Sequence, residues 1–520
     1  MTPRAMPWWR DAVCYEIYVR SYADSDGDGM GDLPGITAHL DHLADLGVDA
    51  LWVTPFYPSP QHDHGYDVSD YRDVEPAYGS LADFDTLLVT AHGLGMKVII
   101  DVVPNHTSAD HPWFREALAA APGSPARDRY LFRDGSGPDG TEPPNNWHSV
   151  FGGPAWERVP DRPHETAQWY LHLFDSSQPD LNWHDPEVSA DFEKTLRFWL
   201  DRGVDGFRID VAHGLFKEDA LPDVADPASF GNDTVPEGPM WDQPQVHDVY
   251  RSWRRILESY DGDRMAVAEA WAPTPAATAR YVRPDELQQA FNFHWLTAEW
   301  SASAFREVVE LTLATLTPVG ASATWVLANH DVVRTATRYG GGVTGLARSR
   351  AATLAMLALP GSAYLYQGEE LGLEQVEVAA EDKQDPEYLN GRGPGRDGCR
   401  VPLPWSGEKP PYGFGPGTDQ PWLPQPDDWA DLTVAAQAAD PGSTMAFYRD
   451  VLAARRRLDL DEREISWLEA PDGVLCFRRG DVTVLLNCGT SPVDLPEGKV
   501  IAASQPVDTT LPADAAVWLR

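Results

Sequence analysis

Basic residues, cysteines and long apolar runs are all scarce in this chain. Its 520 residues carry 41 Lys and Arg against 80 Asp and Glu, a formal net charge of −39. Nucleic acid and anionic lipid surfaces both require a basic footprint, so this balance excludes them as partners and reads as a solubility-promoting acidic surface. No run of about 18 apolar residues occurs, and Met1 to Arg10 has no apolar core, so the expectation is a soluble, cytoplasmic protein. Cys14, Cys399, Cys476 and Cys488 are widely spaced, with no CxxC pair, which excludes a disulfide scaffold. No GxGxxG follows the first strand pattern, which argues against a doubly wound dinucleotide-binding sheet. What is plentiful is aromatic: 20 Trp and 18 Tyr. Such side chains line carbohydrate sites, although core packing accounts for most of them. No feature of the sequence sets an oligomeric state.

One unit recurs: an amphipathic helix, a glycine, then an apolar strand. It reads Leu46-Gly47-Val48-Asp49 into Ala50–Val53, Leu94-Gly95-Met96-Lys97 into Val98–Val103, and Arg202-Gly203-Val204-Asp205 into Gly206–Val211. Glycine ends helices in the left-handed conformation, and near-continuous apolar strands belong to parallel sheets buried on both faces. Further strands are expected at Val13–Tyr22, Met265–Glu269, Gln289–His294, Ala323–Asn329 and Ala363–Gln367, with helices at Gln245–Ser259, Ala302–Leu316 and Leu346–Leu359. About eight strand–helix units close a barrel. The expected fold is α/β, a (β/α)₈ TIM barrel with an inserted domain after strand 3 and a C-terminal antiparallel β domain. The boundaries read as 1–105 and 181–440 for the barrel, 106–180 for the insert, and 441–520 for the β domain.

In such a barrel the chemistry sits where strands end. The polar residues there are Asp101, Asn105 and His106; Arg208 and Asp210; Glu269; and Asn329, His330 and Asp331. Arg208 and Asp210 share a strand face, and an arginine beside a carboxylate favours the ionised form that a nucleophile needs. Glu269 ends an apolar strand, where desolvation raises a carboxyl toward a working acid. One attacking carboxylate and one protonated partner are the requirement of a retaining glycosidase. The alternative is a buried ion-pair network that merely closes the barrel top.

The motifs Asp101-Val-Val-Pro-Asn-His106, Gln178-Pro-Asp-Leu-Asn182, Gly206-Phe-Arg-Ile-Asp210, Ala268-Glu269-Ala270-Trp271 and Asn329-His330-Asp331, in that order, resemble the α-amylase superfamily. The resemblance is strongest to its α-glucosidase, oligo-1,6-glucosidase and trehalose synthase branch, and there to actinobacterial-type α-glucosidases. It implies Asp210 as nucleophile, Glu269 as general acid/base and Asp331 as the carboxylate bracing the sugar hydroxyls. It further implies that His106, Arg208 and His330 hold the sugar on the non-reducing side, that Asp63 and Tyr66 meet the terminal glucose, and that Arg400 closes the pocket by pairing with a hydroxyl-binding acid.

Asp24-Ser-Asp26-Gly-Asp28-Gly-Met30-Gly-Asp32 places acids at alternate positions, like the start of an EF-hand loop, but its twelfth position is Gly35 and not the bidentate Glu. The resembling branch carries such a loop after its first strand. That implies a structural Ca²⁺ or Mg²⁺ on Asp24, Asp26, Asp28, Asp32 and the carbonyl of Met30, with no organic cofactor. For linkage, Val211 leans toward α-1,6, whereas Ala212-His213-Gly214 resembles α-1,4-active enzymes. The expectation is an exo-acting α-1,4-glucosidase working on short oligosaccharides, with transglucosylation through the same intermediate. An α-1,6-glucosidase or a trehalose synthase is the alternative. A non-catalytic scaffold of the same fold is the remote one, disfavoured by the complete carboxylate set and the missing anchor.

Overall fold

Helices in this chain stop where glycine can turn left-handed. Gly47 (φ 95°), Gly95 (φ 84°) and Gly203 (φ 107°) lie just past three helix ends, each leading into a strand. Helix starts are equally explicit. Ser80 and Asp83 form a reciprocal capping box before Leu81–Gly93, and Asp185 caps Pro186–Arg202 with proline in the first turn. The computed structural model describes residues 6–160, 167–225, 238–417, 420–458 and 464–520.

The barrel strands are β1 (Val13–Ile17), β2 (Ala50–Val53) and β3 (Lys97–Val102). After them come the insert strands β4 (Phe132–Asp134), β5 (Trp156–Arg158) and β6 (Gln168–Leu171). The barrel resumes with β7 (Gly206–Ile209), β8 (Met265–Ala268), β9 (Gln289–Ala290), β10 (Thr324–Val326) and β11 (Ser362–Tyr366). Eight of these run in the order β10-β11-β1-β2-β3-β7-β8-β9, parallel throughout. The ladder is open between β9 and β10, where Asn292 N–H to the Thr324 carbonyl (3.0 Å) spans the seam. The barrel is therefore nearly closed.

Three strands are markedly shorter than their apolar runs predict, β1, β9 and β10, the last covering only Thr324–Val326 of the expected Ala323–Asn329. β1 ends at Ile17 because side-chain acceptors replace the ladder: Tyr18 N–H goes to Gln367 and Val19 N–H to Thr54, and a 3₁₀ turn follows at Val19–Ser21. β9 ends at Ala290 because Asn292 caps a short helix, Phe293–Leu296, by accepting from Trp295 N–H.

Alternation along the strands decides what faces inward. Cys14, Trp52, Ile99, Val267, Phe291 and Tyr364 fill the barrel interior, while neighbours such as Tyr15, Leu51, Val98 and Phe207 pack outward under the helices. One step beyond this apolar layer, the next inward positions are Glu16, Asp101 and Arg208, all buried. The floor of the barrel mouth is charged for that reason.

β4, β6 and β5 form a small antiparallel sheet between β3 and β7. Trp147 Nε1 (to Pro222 O) and Asn146 Nδ2 (to Val224 O), each 2.8 Å, tie this insert to the loop after β7. After helix Thr444–Arg457, a five-stranded antiparallel sheet built around Val474–Arg479, Val482–Asn487 and Ala515–Leu519 closes the chain. It docks on the barrel helix Gly342–Ala358 through Trp518 Nε1, which donates to Leu354 O at 3.0 Å. All four thiols are free, and among the described residues no helix is long and apolar enough to cross a membrane.

Candidate active site

Arg208, only 1 % exposed, organises the floor. Its Nη1 donates to Asp101 Oδ1 (2.8 Å) and to Asp210, and Nη2 stands 3.9 Å from Glu269 Oε2. The other oxygen of Asp101 accepts Trp52 Nε1 (2.9 Å) and the Tyr66 hydroxyl (3.2 Å), which fixes the Tyr66 ring against His330, centroids 5.3 Å apart and nearly parallel. The strand pattern thus supplies the bottom of the pocket, and the loop residue Tyr66 supplies a wall.

Beside that floor lies a second network. Asp63 accepts from Gln178 Nε2 (3.0 Å) and pairs with Arg396 (2.9 Å), while Gln178 also meets His106 Nε2 at 3.1 Å. Arg396 bridges Asp63 to Asp331 (2.9 Å) and is anchored by Asp385 (2.7 Å). Arg400 pairs with Asp331 (3.0 Å) and donates to the His330 carbonyl (2.8 Å). All nine acidic, basic and aromatic residues expected at the site, Asp63, Tyr66, His106, Arg208, Asp210, Glu269, His330, Asp331 and Arg400, therefore belong to two linked networks at the barrel mouth.

The protonation pattern follows from burial and charge. Burial pushes the carboxyls of Asp210 and Glu269 upward, and Arg208 opposes it in both. One guanidinium cannot balance Asp101, Asp210 and Glu269 at once, so the cluster retains a proton. Arg208 touches Asp101 and Asp210 directly and Glu269 only at 3.9 Å, so its charge favours the ionised form more strongly at Asp101 and Asp210 than at Glu269. Glu269 is held by the N–H of Val211, 2.6 Å from Oε2. Val211 pays for that position with φ +43°, an unusual conformation for a β-branched residue and a local strain of the kind found at functional sites. Burial drives the His330 ring far below the usual imidazole range and Glu16 far above the carboxylate range, so their 2.5 Å contact holds one proton between them. His106 is lowered to about 4 by burial and is a neutral ring. For Asp331 burial is outweighed by the guanidinium groups of Arg396 and Arg400, and its carboxyl lies below the ordinary range.

Glu16, Gln178, Asp385 and Arg396 are members of these networks that sequence reasoning did not select. A charged residue inside the apolar run Val13–Ile17 was the available signal for Glu16. Arg396 stands four residues before Arg400, across a 3₁₀ turn at Asp397–Cys399 that lets both guanidinium groups reach Asp331. Arg396→Ala leaves Asp63, Asp331 and Asp385 without their shared cation, so kcat/KM is expected to fall at least about 100-fold. Arg396→Lys, which lacks the fork, should recover only a small part of it; steady-state kinetics on the two variants checks this.

Part of the expected metal loop is brought together, while Asp32 stands outside that group. Asp24, Asp26 and Asp28 each place a carboxylate oxygen within 4.8 Å of the others. Asp24 accepts from the N–H groups of Asp26, Gly27 and Gly29, and Met30 N–H donates to Asp28. Asp32 caps helix Leu33–Ala38, accepting from Gly35 N (2.6 Å) and from Ser25 N (2.9 Å) and Oγ (2.8 Å). Three oxygen donors in that space, with no sulfur or nitrogen among them, fit a hard cation such as Ca²⁺ or Mg²⁺. The loop is coupled to the site: Trp422 N–H donates to Gly29 O (3.0 Å), Arg20 lies over the Trp422 ring (4.2 Å), and that ring packs 5.0 Å from His64, a neighbour of Arg400.

An eight-stranded parallel barrel whose mouth holds a guanidinium flanked by carboxylates, opening on a wall of neutral rings and ion pairs, has the architecture of a glycoside hydrolase. Comparison with known proteins makes the class specific. The family described as alpha amylase, catalytic domain, matches residues 16–461, and the chain belongs to the α-amylase family, in its α-glucosidase, oligo-1,6-glucosidase and trehalose-6-phosphate hydrolase branch. It is 40 % identical over 489 residues to a probable alpha-glucosidase of Rhizobium meliloti (strain 1021), covering 91 % of this chain and 87 % of the relative. It is 37 % identical over 492 residues to an oligo-1,6-glucosidase of Parageobacillus thermoglucosidasius, covering 87 % and 84 %. Among solved structures it superposes on an alpha-glucosyl transfer enzyme, XgtA, with a TM-score of 0.88 and 39 % identity, over 99 % of this chain and all of that one. The protein is an α-glucosidase-type glycoside hydrolase.

Proposed function

We propose that this enzyme is a retaining, exo-acting α-glucosidase that hydrolyses short α-glucosides, α-1,4-linked ones in preference. The carrying observation is the pair Asp210 and Glu269 on one guanidinium, with Arg208 in contact with Asp210 and set back from Glu269. In this reading Asp210, kept ionised by the charge of Arg208, attacks the anomeric carbon, and Glu269 donates its proton to the leaving oxygen. Glu269, now a base, then activates the water that releases glucose from Asp210. Asp331, steered by Arg396 and Arg400, grips ring hydroxyls, and Tyr66, His106 and His330 shape the space for one glucose. Exo action is supported by how the insert and the loop before Arg400 meet over the site: Arg396 lies 4.8 Å above the Phe151 ring, and Arg392 donates to Ser149 O. The likeness to a glucosyl transfer enzyme supports transfer as a side reaction of the same intermediate. Val211, directly after Asp210 at the position whose valine leans toward α-1,6 linkage in the resembling branch, favours a second reading, α-1,6 preference. The deciding experiment incubates the purified enzyme with maltose, isomaltose, sucrose and trehalose and separates the products. Glucose chiefly from maltose supports the reading, isomaltose preference replaces the linkage, and trehalose formed from maltose replaces hydrolysis by isomerisation.

Asp63 gives this reading a pH signature. Burial raises its carboxyl to about 6 although Arg396 and Arg400 pull it down. Its ionised form is the one that accepts a sugar hydroxyl, so kcat/KM is expected to fall as pH drops below about 6, roughly tenfold per unit once the decline is established. A pH profile in which kcat/KM is flat from pH 6 down to pH 4 contradicts that role.

A cation on Asp24, Asp26 and Asp28, joined in the full set by Asp32 and the Met30 carbonyl, would have a structural part only, since two carboxylates suffice for hydrolysis. Its binding to the folded state alone would add about 2.7 kcal/mol at a hundredfold excess over Kd. Chelation is expected to lower the melting temperature by several degrees and to reduce activity through Trp422, with recovery on adding Ca²⁺ back. Asp26→Ala should show neither response in a thermal melt.

A further inference from the structure

One buried carboxyl at the barrel mouth takes no part in the steps assigned to Asp210, Glu269 and Asp331. Glu16 lies on β1, in register with Trp52 of β2 on one side and Tyr366 of β11 on the other, and its side chain is 1 % exposed. A carboxyl in that position destabilises the fold unless it is paired. Its only ion-pair partner among the described residues is His330, whose Nδ1 stands 2.5 Å from Glu16 Oε1 and whose backbone N–H stands 3.4 Å from the same oxygen.

The rest of the pocket fixes the plane of the His330 ring and no more. Tyr66 and Tyr18 both stack on it, with centroids 5.3 Å and 5.5 Å away and interplanar angles of 14° and 24°. Stacking is indifferent to a half-turn of the ring about Cβ–Cγ and to which nitrogen carries the hydrogen. The contact with Glu16 decides both. A half-turn would put carbon against Oε1, so Nδ1 stays there. Burial makes Glu16 retain its proton, and its O–H donates to Nδ1, which leaves the ring hydrogen on Nε2. Were the proton passed to Nδ1, Nε2 would still carry its own.

The far side of the ring faces the site. Nε2 stands 3.4 Å from Asp331 Oδ2, on a side chain 29 % exposed where Glu16 and His330 are each 1 % exposed. A bare nitrogen lone pair would repel that ionised carboxylate, whereas an N–H is compatible with it. A donor and an acceptor side by side suit a single hydroxyl, which accepts from Nε2–H and donates to Asp331.

We propose that Glu16 is a positioning residue of the reaction: it locks His330 in the orientation and tautomer that present Nε2–H, beside Asp331, to one hydroxyl of the bound sugar. The inference rests on the reading of His330 and Asp331 as sugar-holding residues given above, and adds the group that makes His330 a donor.

The test measures kcat and KM on p-nitrophenyl α-glucoside and on its 2-, 3-, 4- and 6-deoxy analogues. Glu16→Gln keeps the shape and offers an amide N–H to Nδ1, so kcat/KM should stay within about threefold of wild type. Glu16→Leu and Glu16→Met offer no donor, and kcat/KM on the parent glucoside is expected to fall about tenfold or more. In these two variants the penalty for deleting one particular hydroxyl should shrink by a similar factor, while the penalties for the others stand, because the partner of that hydroxyl is already lost. A general loosening of the fold would lower all five substrates alike. Long-range proton–nitrogen NMR of histidine-labelled wild-type enzyme, with His330 assigned by its loss in His330→Asn, should show the hydrogen on Nε2, and this readout needs no Glu16 variant to fold. Hydrogen on Nδ1 alone, undiminished kcat/KM in Glu16→Leu or Glu16→Met, a uniform loss across the deoxy series, or a Glu16→Gln variant as impaired as Glu16→Leu would each overturn the proposal. A wild-type enzyme that cleaves no α-glucoside refutes instead the reading on which the proposal rests.

Discussion

Asp210→Asn is expected to lower kcat by at least about 10⁴-fold on every α-glucoside while leaving the fold intact, because the amide cannot form the glucosyl ester. The same substitution should not lower the melting temperature. In the native site Asp210 is one of three buried carboxyls on a single guanidinium, and burial holds its carboxyl above the usual range. A carboxyl raised in the folded state costs stability as pH rises above its ordinary range, and the full cost is present once pH passes the raised value, so removing its charge relieves the native state there. A calorimetric scan at pH 8 with an equal or higher melting temperature, beside absent turnover, is the predicted pair of results. A large drop in melting temperature would show that the Asp210–Arg208 contact is chiefly structural.

Glu269→Gln separates the two carboxylates by leaving-group dependence. Loss of the proton donor is expected to cost about 10²–10⁴ in kcat/KM on a disaccharide, whose alkoxide leaves poorly, and much less on an aryl glucoside with an acidic phenol. Release of glucose from the intermediate also loses its base, so a burst of phenol followed by a slow phase should appear. Added azide, which needs no base, should speed that phase and give α-glucosyl azide. Equal losses on both substrates with no burst would assign the acid role elsewhere.

Much of this arrangement was legible in the sequence because it follows from strand alternation. An apolar strand that ends in a charged residue in a barrel has one place to put it, and Asp101, Arg208, Asp210 and Glu269 were found that way. The glycines at 47, 95 and 203 announced three helix-to-strand turns that the fold contains. The strand ends were less legible: at Tyr18 and Val19 the backbone bonds to Gln367 and Thr54, residues some 349 and 35 positions away, which no local pattern encodes. Arg396 illustrates the same limit within the site. Its role depends on Asp63, Asp331 and Asp385 converging on one fork from three loops.

The central claim is that Asp210 forms a covalent glucosyl intermediate and Glu269 serves it twice, so that two inversions leave the anomeric configuration unchanged. Proton NMR of the first minutes of hydrolysis, before mutarotation mixes the anomers, tests this most directly. The account predicts α-glucose as the first sugar released from the substrate the enzyme cleaves best. β-Glucose as the first product would contradict it, because a single displacement by water leaves no place for Asp210 as nucleophile.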